Sequence, residues 1–311
     1  MKTLVVMQKP FTAVAKRGIE EIIENAGNEV QFLEKYDDTK ALIEAVKDAD
    51  ALIVRSDKIG PEVFAAAKNL KIVVRAGAGY DNIDLNVADA ARVVVENTPG
   101  QNANAVAELA LALMLYMSRG QMTPRAGMEI SGKKLGIQAF GAVGSLVGRK
   151  ADALGMKVQA FDPYVSDERL ADFGVKRSQT LEQMYSECDF ISIHIPSTPQ
   201  TRRSIGYDLM RKMPFSATLV NTARKEVIDE DGLFRVLQER PDLKYVADVA
   251  PDNYDTLKRL FPDRIFATPA KMGAQTAEAN LNAALAAARQ INDYFATGST
   301  AYQVNHFSPE S

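Results

Sequence analysis

The sequence predicts an α/β protein built from two doubly wound parallel sheets. Strand-like runs rich in Val and Ile alternate with helical patterns almost throughout the 311 residues. These runs are continuously apolar, which is typical of parallel strands covered by helices on both faces. The alternation begins near residue 3 and again near residue 133, so we expect each series to form its own sheet.

The first series predicts five strands with helices between them. The strands are predicted at 3–7, 29–34, 51–55, 71–77 and 92–97. The helices are predicted at about 12–26, 40–49 and 61–69. A helix over 102–118 follows and is apolar almost all round, so we expect it to be buried, either at a domain or subunit junction or inside one core.

The second series predicts six further strands and one long closing helix. The strands are predicted at 133–140, 157–162, 189–195, 218–223, 245–250 and 264–269, and the helix at 276–298. We therefore predict a discontinuous domain of residues 1–98 and 286–311 and a second domain of residues 99–285. The tail from Tyr302 is predicted to be loosely ordered.

Composition excludes several classes of protein. The apolar fraction is 46% and the net charge is −3, as expected for a globular protein without a nucleic-acid partner. No run reaches the roughly 18 apolar residues of a membrane span, and the N-terminus reads as a strand and not as a signal peptide. Cys188 is the only cysteine, which precludes an intramolecular disulfide and fits a cytoplasmic protein. No pattern suggests a metal site.

The segment LGIQAFGAVG at 135–144 has the pattern of a dinucleotide-binding turn. Gly141 lets the backbone approach a pyrophosphate, Gly144 lets the helix pack closely, and Ala139 holds the place of the usual first glycine. Asp162 ends the next strand, where it can accept hydrogen bonds from an adenosine ribose. An ordinary tight turn is the alternative. The acid and the absence of Lys or Arg in PYVSDE favour NAD over NADP.

Seven segments in order resemble the D-2-hydroxyacid dehydrogenases, and most closely a short, lysine-type subgroup of phosphoglycerate dehydrogenases without regulatory domains. The segments lie at 54–58, 73–85, 97–115, 135–144, 194–202, 219–233 and 268–280. The resemblance implies a Rossmann domain for NAD, a flavodoxin-like substrate domain formed by both termini, and a homodimer built on the NAD domain. It also implies a phosphorylated hydroxy acid as substrate.

Carried over residue by residue, the resemblance implies a set of cofactor contacts. These are Gly141, Ala142, Val143, Gly144, Asp162, His194, Pro196, Thr201, Thr222 and Asp248. Asp248 is expected to accept the carboxamide N–H, with a helix N-cap as the alternative. For His194, a structural or cofactor-lining role is expected.

Two residues are predicted to be catalytic. Arg224 follows a strand and matches the family arginine that holds the carboxylate and carbonyl oxygens. Where the family usually has a histidine, this chain has Lys271 in TPAKMGA, with a phosphate-binding or solvated lysine as the alternative. The glutamate that supports the histidine is also missing, and whether Asp252 or Asp255 replaces it stays open.

A lysine base needs no glutamate to orient it. Its free pKa is about 10.4, so the pKa must fall for the amine to act as a base near neutral pH. Burial and the nearby charge of Arg224 are expected to lower the pKa of Lys271.

The substrate is expected to bind the other domain. Arg55 and Ser56 match phosphate-side contacts, with Lys58 nearby, and an exposed arginine with a capping serine is the alternative. Backbone N–H groups of Gly77, Ala78 and Gly79 can hold a carboxylate. Asn102 matches a further family contact. Arg75 is either a contact or a brace for the cleft.

The predicted reaction is the oxidation of 3-phospho-D-glycerate to 3-phosphohydroxypyruvate, a step of serine biosynthesis. One alternative is a glyoxylate or hydroxypyruvate reductase, or another D-2-hydroxyacid dehydrogenase, which would need neither Arg55 nor Lys58 for a phosphate. The other alternative is a non-catalytic, NAD-sensing binding protein.

Overall fold

The computed structural model describes residues 1–307. The chain divides into two compact units, one of Met1–Asn102 with the segment from Thr276 onward and the other of Ala103–Gln275. Each unit contains one parallel sheet flanked by helices, so the predicted fold class is confirmed. The end of the predicted first domain, residues 308–311, lies outside the described residues.

The first part of the chain alternates strands and helices as its apolar pattern predicts. Its elements are β1 (Lys2–Met7), α1 (Ala13–Asn25), β2 (Glu29–Glu34), α2 (Thr39–Ala45), β3 (Ala51–Val54), α3 (Pro61–Ala66), β4 (Ile72–Arg75), α4 (Leu85–Ala90) and β5 (Val94–Asn97). Polar caps start several helices; the side chain of Thr12 accepts from Ala15 N ahead of α1, and that of Asp84 accepts from Val87 N ahead of α4.

The middle of the chain forms the second unit. Its elements are α5 (Ala103–Ser118), β6 (Lys134–Gln138), α6 (Ala142–Ala153), β7 (Lys157–Phe161), α7 (Asp167–Ala171), β8 (Lys176–Arg177), α8 (Leu181–Glu187), β9 (Phe190–Ile193), α9 (Tyr207–Met210), β10 (Thr218–Asn221), α10 (Glu230–Glu239), β11 (Lys244–Ala247), α11 (Tyr254–Leu260) and β12 (Ile265–Ala267). Helix α12 (Ala277–Thr297) then returns the chain to the first unit.

The five-stranded sheet has the order β2-β1-β3-β4-β5, and all its described pairings are parallel. This is the flavodoxin-like order. Successive residues of a strand serve opposite faces: Leu4 and Val6 belong to one apolar core and Val5 and Met7 to the other. Helices α1 and α12 cover the second of these cores.

The seven-stranded sheet has the order β12-β11-β10-β9-β6-β7-β8. The six strands other than the short β8 are those predicted. The sequence missed β8 because it has two residues, Lys176 and Arg177, and both are charged. The chain runs outward from β6 through β7 to β8 and then crosses back to β9, so β6 and β9 flank a topological switch point.

Helix α5 belongs to the second unit and buries one face in the core of that unit. Its residues Ala107, Ala110 and Met114 are fully buried in the core of the second unit, where the helix packs on α6 and on the strands β10 and β11.

Helix α12 lies wholly in the first unit, beginning at a cap in which the side chain of Thr276 accepts from Ala279 N. The units thus meet in the chain at 102/103 and 275/276, where the sequence suggested 98/99 and 285/286. The later boundary differs because α12 is continuous.

The expectation of a loosely ordered tail is wrong for the described part, which runs along β5. Val304 N donates to Val95 O at 2.9 Å, and Val95 N donates to Asn305 Oδ1 at 2.8 Å. Asn305 is 2% exposed and its amide also donates to Val93 O. The buried side-chain amide of Asn305 thus hydrogen-bonds the edge of β5 beyond the backbone bond made by Val304. Among residues 1–307, no helix is both long and apolar enough to cross a membrane.

Candidate active site

The predicted cofactor and catalytic residues all follow the carboxyl ends of strands in the seven-stranded sheet. In open α/β sheets, ligands bind at this edge, next to the switch point. The switch point is closed by a backbone hydrogen bond from His194 N, after β9, to Gln138 O at the end of β6, 2.9 Å long. The edge on either side of this bond is therefore the candidate active site.

The glycine turn between β6 and α6 has the features that a pyrophosphate needs. A Cβ added to Gly141 would meet no atom within 4 Å, so the space beside this N-cap is open. A Cβ on Gly144 would lie 2.2 Å from Ala139 O, so only glycine allows the helix to pack there. Ala139 has a φ of 73°, the left-handed region that favours glycine. The turn therefore keeps its glycine geometry with an alanine at the first position. Ala142 and Val143 form the first turn of α6.

Asp162, directly after β7, is held rigidly at the neighbouring strand end. It is 7% exposed. Its Oδ2 accepts from Phe140 N, in the glycine turn, at 2.7 Å, and its Oδ1 accepts from Tyr164 N at 2.8 Å. The carboxylate therefore ties the loop after β7 to the phosphate turn, in the position expected for a ribose acceptor.

Arg177, on the short strand β8, is a residue that the sequence argument missed. Its guanidinium donates to the backbone oxygen of Asp162 at 3.0 Å and also bonds Val165 O and the carboxylate of Asp167. The local segment PYVSDE contains no cation, but strand pairing brings one from β8 to the same loop. The available signal was the pair KR after an apolar turn, ahead of the capped helix α8.

His194 lies between two hydroxyl groups at the switch point. Its Nε2 is 2.9 Å from Ser192 Oγ, and its Nδ1 is 3.4 Å from Thr222 Oγ1 at the end of β10. Burial lowers the pKa of His194 to about 3, so the ring is neutral at physiological pH. A neutral imidazole with both nitrogens near hydroxyl groups fits the cofactor-lining role expected for this residue.

The loop after β9 carries the other two predicted cofactor residues of this strand. Thr201 Oγ1 donates to Pro196 O at 2.6 Å and accepts from Thr198 N at 2.8 Å. These bonds fold the loop back on itself and leave Pro196 exposed at its tip. The loop is therefore fixed by its own hydroxyl groups.

Arg224 follows β10 and is half-buried. Its Nη1 donates to Ala223 O at 3.1 Å, and its backbone oxygen accepts from Asn221 Nδ2 at 3.0 Å. Asn221 Oδ1 in turn accepts from Ala223 N at 3.0 Å. The side chain of Asn221 thus shapes the turn that carries the arginine out of the sheet.

Asp248, after β11, engages the loop that follows the neighbouring strand β12. Its Oδ1 accepts from Met272 N at 2.7 Å and its Oδ2 from Gly273 N at 2.8 Å. Thr268 Oγ1 lies 2.6 Å from the backbone oxygen of Asp248 and 3.0 Å from its Oδ1. The carboxylate is not a helix N-cap: it serves the loop that contains Lys271, and a carboxamide N–H would share it.

Lys271 itself is exposed. The burial expected to lower the pKa of this lysine is therefore not provided by the protein alone. Asp252, one candidate for the missing glutamate, forms an ion pair with Lys225 instead. Asp255 lies in the first turn of α11.

The predicted substrate residues lie at the carboxyl edge of the five-stranded sheet. Arg55, after β3, is half-buried, and its Nη2 donates to Asn280 Oδ1, on α12, at 2.7 Å. Burial lowers the pKa of Arg55, and the nearby Asp57 carboxylate opposes that shift. Arg75 Nε donates to Arg55 O at 2.9 Å, so Arg75 braces the loop after β3. Ser56 is exposed beside it.

The neighbouring loop contains Ala78 and Gly79 after β4. Gly77 N donates to Arg75 O at 2.8 Å, which removes Gly77 from the predicted set of carboxylate donors. Ala78 O accepts from Asn97 Nδ2, at the end of β5, at 2.6 Å. Asn102 is the last residue of this part of the first unit. All the predicted substrate residues thus follow β3, β4 or β5.

Comparison with known proteins identifies the family. Residues 105–269 match the model of the D-isomer specific 2-hydroxyacid dehydrogenase NAD-binding domain. The chain is 36% identical over 267 residues to a D-3-phosphoglycerate dehydrogenase of Methanocaldococcus jannaschii, covering 80% of this chain and 50% of that protein. It is also 36% identical over 269 residues to a hydroxypyruvate reductase of Thermotoga maritima, covering 81% of this chain and 86% of that protein.

Among solved structures, the NAD⁺-bound 3-phosphoglycerate dehydrogenase of Entamoeba histolytica is similar over the whole chain. The TM-score is 0.90 at 46% identity, and the match covers 99% of both chains. By contrast, the chain spans about half the length of the curated phosphoglycerate dehydrogenases that it matches. The chain therefore belongs to the D-isomer specific 2-hydroxyacid dehydrogenase family.

Proposed function

We propose that this protein is an NAD-dependent dehydrogenase that oxidises 3-phospho-D-glycerate to 3-phosphohydroxypyruvate, as in serine biosynthesis. One observation carries the proposal: the glycine turn, Asp162, Arg224 and the Lys271 loop all follow strand ends of one sheet. The likeness to an NAD⁺-bound 3-phosphoglycerate dehydrogenase supports the choice of substrate and cofactor.

The residues present fit a bound NAD. The open space at Gly141 leaves room for a pyrophosphate, and the acid at Asp162 favours a ribose without a 2′-phosphate. When bound, NAD supplies the hydride acceptor. Arg224 then holds the carboxylate and the carbonyl oxygen, and Lys271 Nζ takes the hydroxyl proton as the C=O bond forms.

The exposure of Lys271 determines when it can act as a base. A charged amine loses its proton more readily once it leaves water, so the amine is expected to deprotonate when substrate and nicotinamide cover it. The pH profiles should therefore differ: the kcat profile should report a lower lysine pKa than the kcat/KM profile, which describes the free enzyme.

Steady-state oxidation of 3-phospho-D-glycerate with NAD tests the proposal directly. Lys271→Ala should lower kcat by about 1,000-fold or more while NADH binding, followed by fluorescence titration, persists. A Lys271→Ala enzyme of near-normal rate would rule out this base. A wild-type protein that binds NADH but oxidises no 2-hydroxy acid would favour the NAD-sensing alternative.

A hydroxypyruvate reductase is the second candidate, favoured by the Thermotoga maritima relative, most of whose length the chain matches. Arg55 separates the two. If it binds a phosphate, Arg55→Met should raise the KM for 3-phosphoglycerate by about 100-fold, the value of a strong charge-assisted pair. The same variant should leave the KM for D-glycerate within a few-fold. Equal KM values for both substrates in the wild type would favour the reductase.

We further propose a homodimer formed through the second unit and a cytoplasmic location. Leu115 and Leu154 are 38% and 44% exposed there, and both line a groove of about 450 Å³ at the end of α5. Exposed leucines around one groove fit an interface between copies. The buried, single Cys188 fits a reducing compartment. Light scattering of the wild type and of Leu154→Glu tests the dimer, and a monomeric wild type would overturn it.

A further inference from the structure

The carboxylate of Asp248 is the central acceptor of the loop that contains Lys271. Asp248 is 2% exposed, at the end of β11. Two backbone donors, Met272 N and Gly273 N, converge on its two oxygens, and both come from the loop that starts directly after β12. Such convergence on a buried carboxylate is a strong restraint, because charged acceptors form the shorter and stronger hydrogen bonds.

The bonds lie on both sides of the lysine. Before Lys271, the hydroxyl of Thr268 lies 2.6 Å from Asp248 O, 2.7 Å from Ala270 O and 3.0 Å from Asp248 Oδ1. After Lys271, the amides of Met272 and Gly273 donate to the two carboxylate oxygens separately. The exposed lysine is thus at the tip of a short loop whose two arms both contact Asp248, the first mainly at its backbone oxygen and the second at its carboxylate.

Gly273 permits this arrangement. A Cβ at this position would lie 2.9 Å from Asp248 Oδ2 and 3.3 Å from Val106 Cγ2 on α5. Neither neighbour can yield easily, since Asp248 is held by its hydrogen bonds and α5 is a core helix. Only glycine therefore lets the amide of residue 273 approach the carboxylate.

We propose that Asp248 is a positioning residue for Lys271, acting through Thr268, Met272 and Gly273. The inference rests on the proposed function for its catalytic consequence. Asp248 is also the expected carboxamide acceptor, so one carboxylate would link the placement of the nicotinamide to that of the base. A misplacement of a reacting group by about 1 Å can cost about 100-fold in rate, so the loop anchor has a measurable effect on turnover.

Gly273→Ala separates positioning from cofactor contact, because it moves the loop and leaves the Asp248 carboxylate intact. We expect kcat to fall about 10- to 100-fold with the NADH dissociation constant within about twofold of wild type. Gly206→Ala is the matched control, since its Cβ would meet Asp229 at an ordinary 3.7 Å, and it should keep wild-type kinetics. Equal kcat in both alanine variants would overturn the proposal.

Asp248→Asn and a pair of Thr268 variants test the anchor itself. An amide has one acceptor oxygen, so in Asp248→Asn the NH₂ would face one of the two backbone N–H groups. Hydrogen–deuterium exchange of the peptide covering 268–275 should therefore be faster in Asp248→Asn. Thr268→Val should lower kcat and Thr268→Ser should restore most of it, a rescue that lost packing would not give.

The two proposals can fail separately. If the wild type oxidises no 2-hydroxy acid, the proposed function fails and exchange alone decides whether Asp248 holds the loop. Unchanged exchange in Asp248→Asn overturns the positioning role, whatever the activity. A fall in kcat for Gly273→Ala together with faster exchange in Asp248→Asn supports it.

Discussion

Two aspartates of the same sheet make the same kind of hydrogen bonds but hold different loops. Asp162 after β7 and Asp248 after β11 are both buried, and each accepts two backbone N–H groups. Asp162 fixes the glycine turn that we propose to bind a pyrophosphate, whereas Asp248 fixes the loop that contains Lys271. A carboxylate at a strand end can thus order a neighbouring loop. Which step of the proposed reaction depends on that order is determined by the residues that the loop contains.

The two aspartates should affect different kinetic constants. Loss of the anchor at Asp162 should weaken cofactor binding, because the phosphate turn and the ribose acceptor are both affected. Loss of the anchor at Asp248 should slow turnover, because the proposed base Lys271 is displaced. The largest effects are expected from substitutions in the glycine turn that Asp162 holds.

Gly144→Ala should break the phosphate turn itself. Its Cβ would lie 2.2 Å from Ala139 O, and overpacking of this kind costs about 3 kcal/mol of the free energy of unfolding. Gly141→Ala is the matched control, since its Cβ meets no protein atom and stability should stay near wild type while NAD affinity falls. Urea unfolding of both variants measures the difference. Equal stabilities would mean that the turn relaxes around the methyl group.

Asp162→Ala should raise the KM for NAD by about 100-fold with kcat changed only a few-fold, since charge-assisted hydrogen bonds are worth about 1.5–3 kcal/mol. The same change should shift the NADP to NAD preference toward NADP by about tenfold or more, because it removes the charge that repels a 2′-phosphate. Steady-state kinetics with both cofactors measures this. A fall in kcat as large as the one expected for Gly273→Ala, about 10- to 100-fold, would erase the distinction between the two anchors.

His194 lies on the sheet between the two anchors and should contribute a pH dependence. Its folded pKa of about 3 is below the unfolded value of about 6.5, so the unfolded chain binds more protons between these values. This contribution is present above pH 6.5 and is lost as the pH falls. By pH 5 the loss of stability should amount to about 2 kcal/mol. Urea titrations at pH 8 and pH 5 should show a smaller loss in His194→Asn than in wild type.

Arg177→Gln should give the smallest effect, a rise of about tenfold in the KM for NAD. The guanidinium holds the loop after β7 by its backbone oxygens, and without it the placement of Asp162 loosens. Arg169→Gln, an exposed position on α7, removes the same charge without touching these oxygens and should be silent. If both variants raise the KM for NAD equally, the effect comes from the lost charge and not from the hydrogen bonds of Arg177 to the loop after β7.

The sequence by itself determined both sheets, the glycine turn and the edge at which the site lies. Continuous apolar runs predict parallel strands, and polar residues that follow such runs, like Asp162, Arg224 and Asp248, must emerge at one edge of a sheet. The family segments added the role of Lys271, which stays a prediction. These features are local, and so a single chain read in order can show them.

Only the tertiary structure decided which strand ends are neighbours and therefore which side chains bond. It brought Arg177 from β8 to the loop of Asp162, the Lys271 loop to Asp248, and Asn305 to the edge of β5. Each contact joins residues well separated in sequence, through hydrogen bonds set by strand order. The periodicity of apolar residues along the chain indicates the face of a strand on which a residue lies. It does not indicate which residue of another strand or loop will be its hydrogen-bond partner.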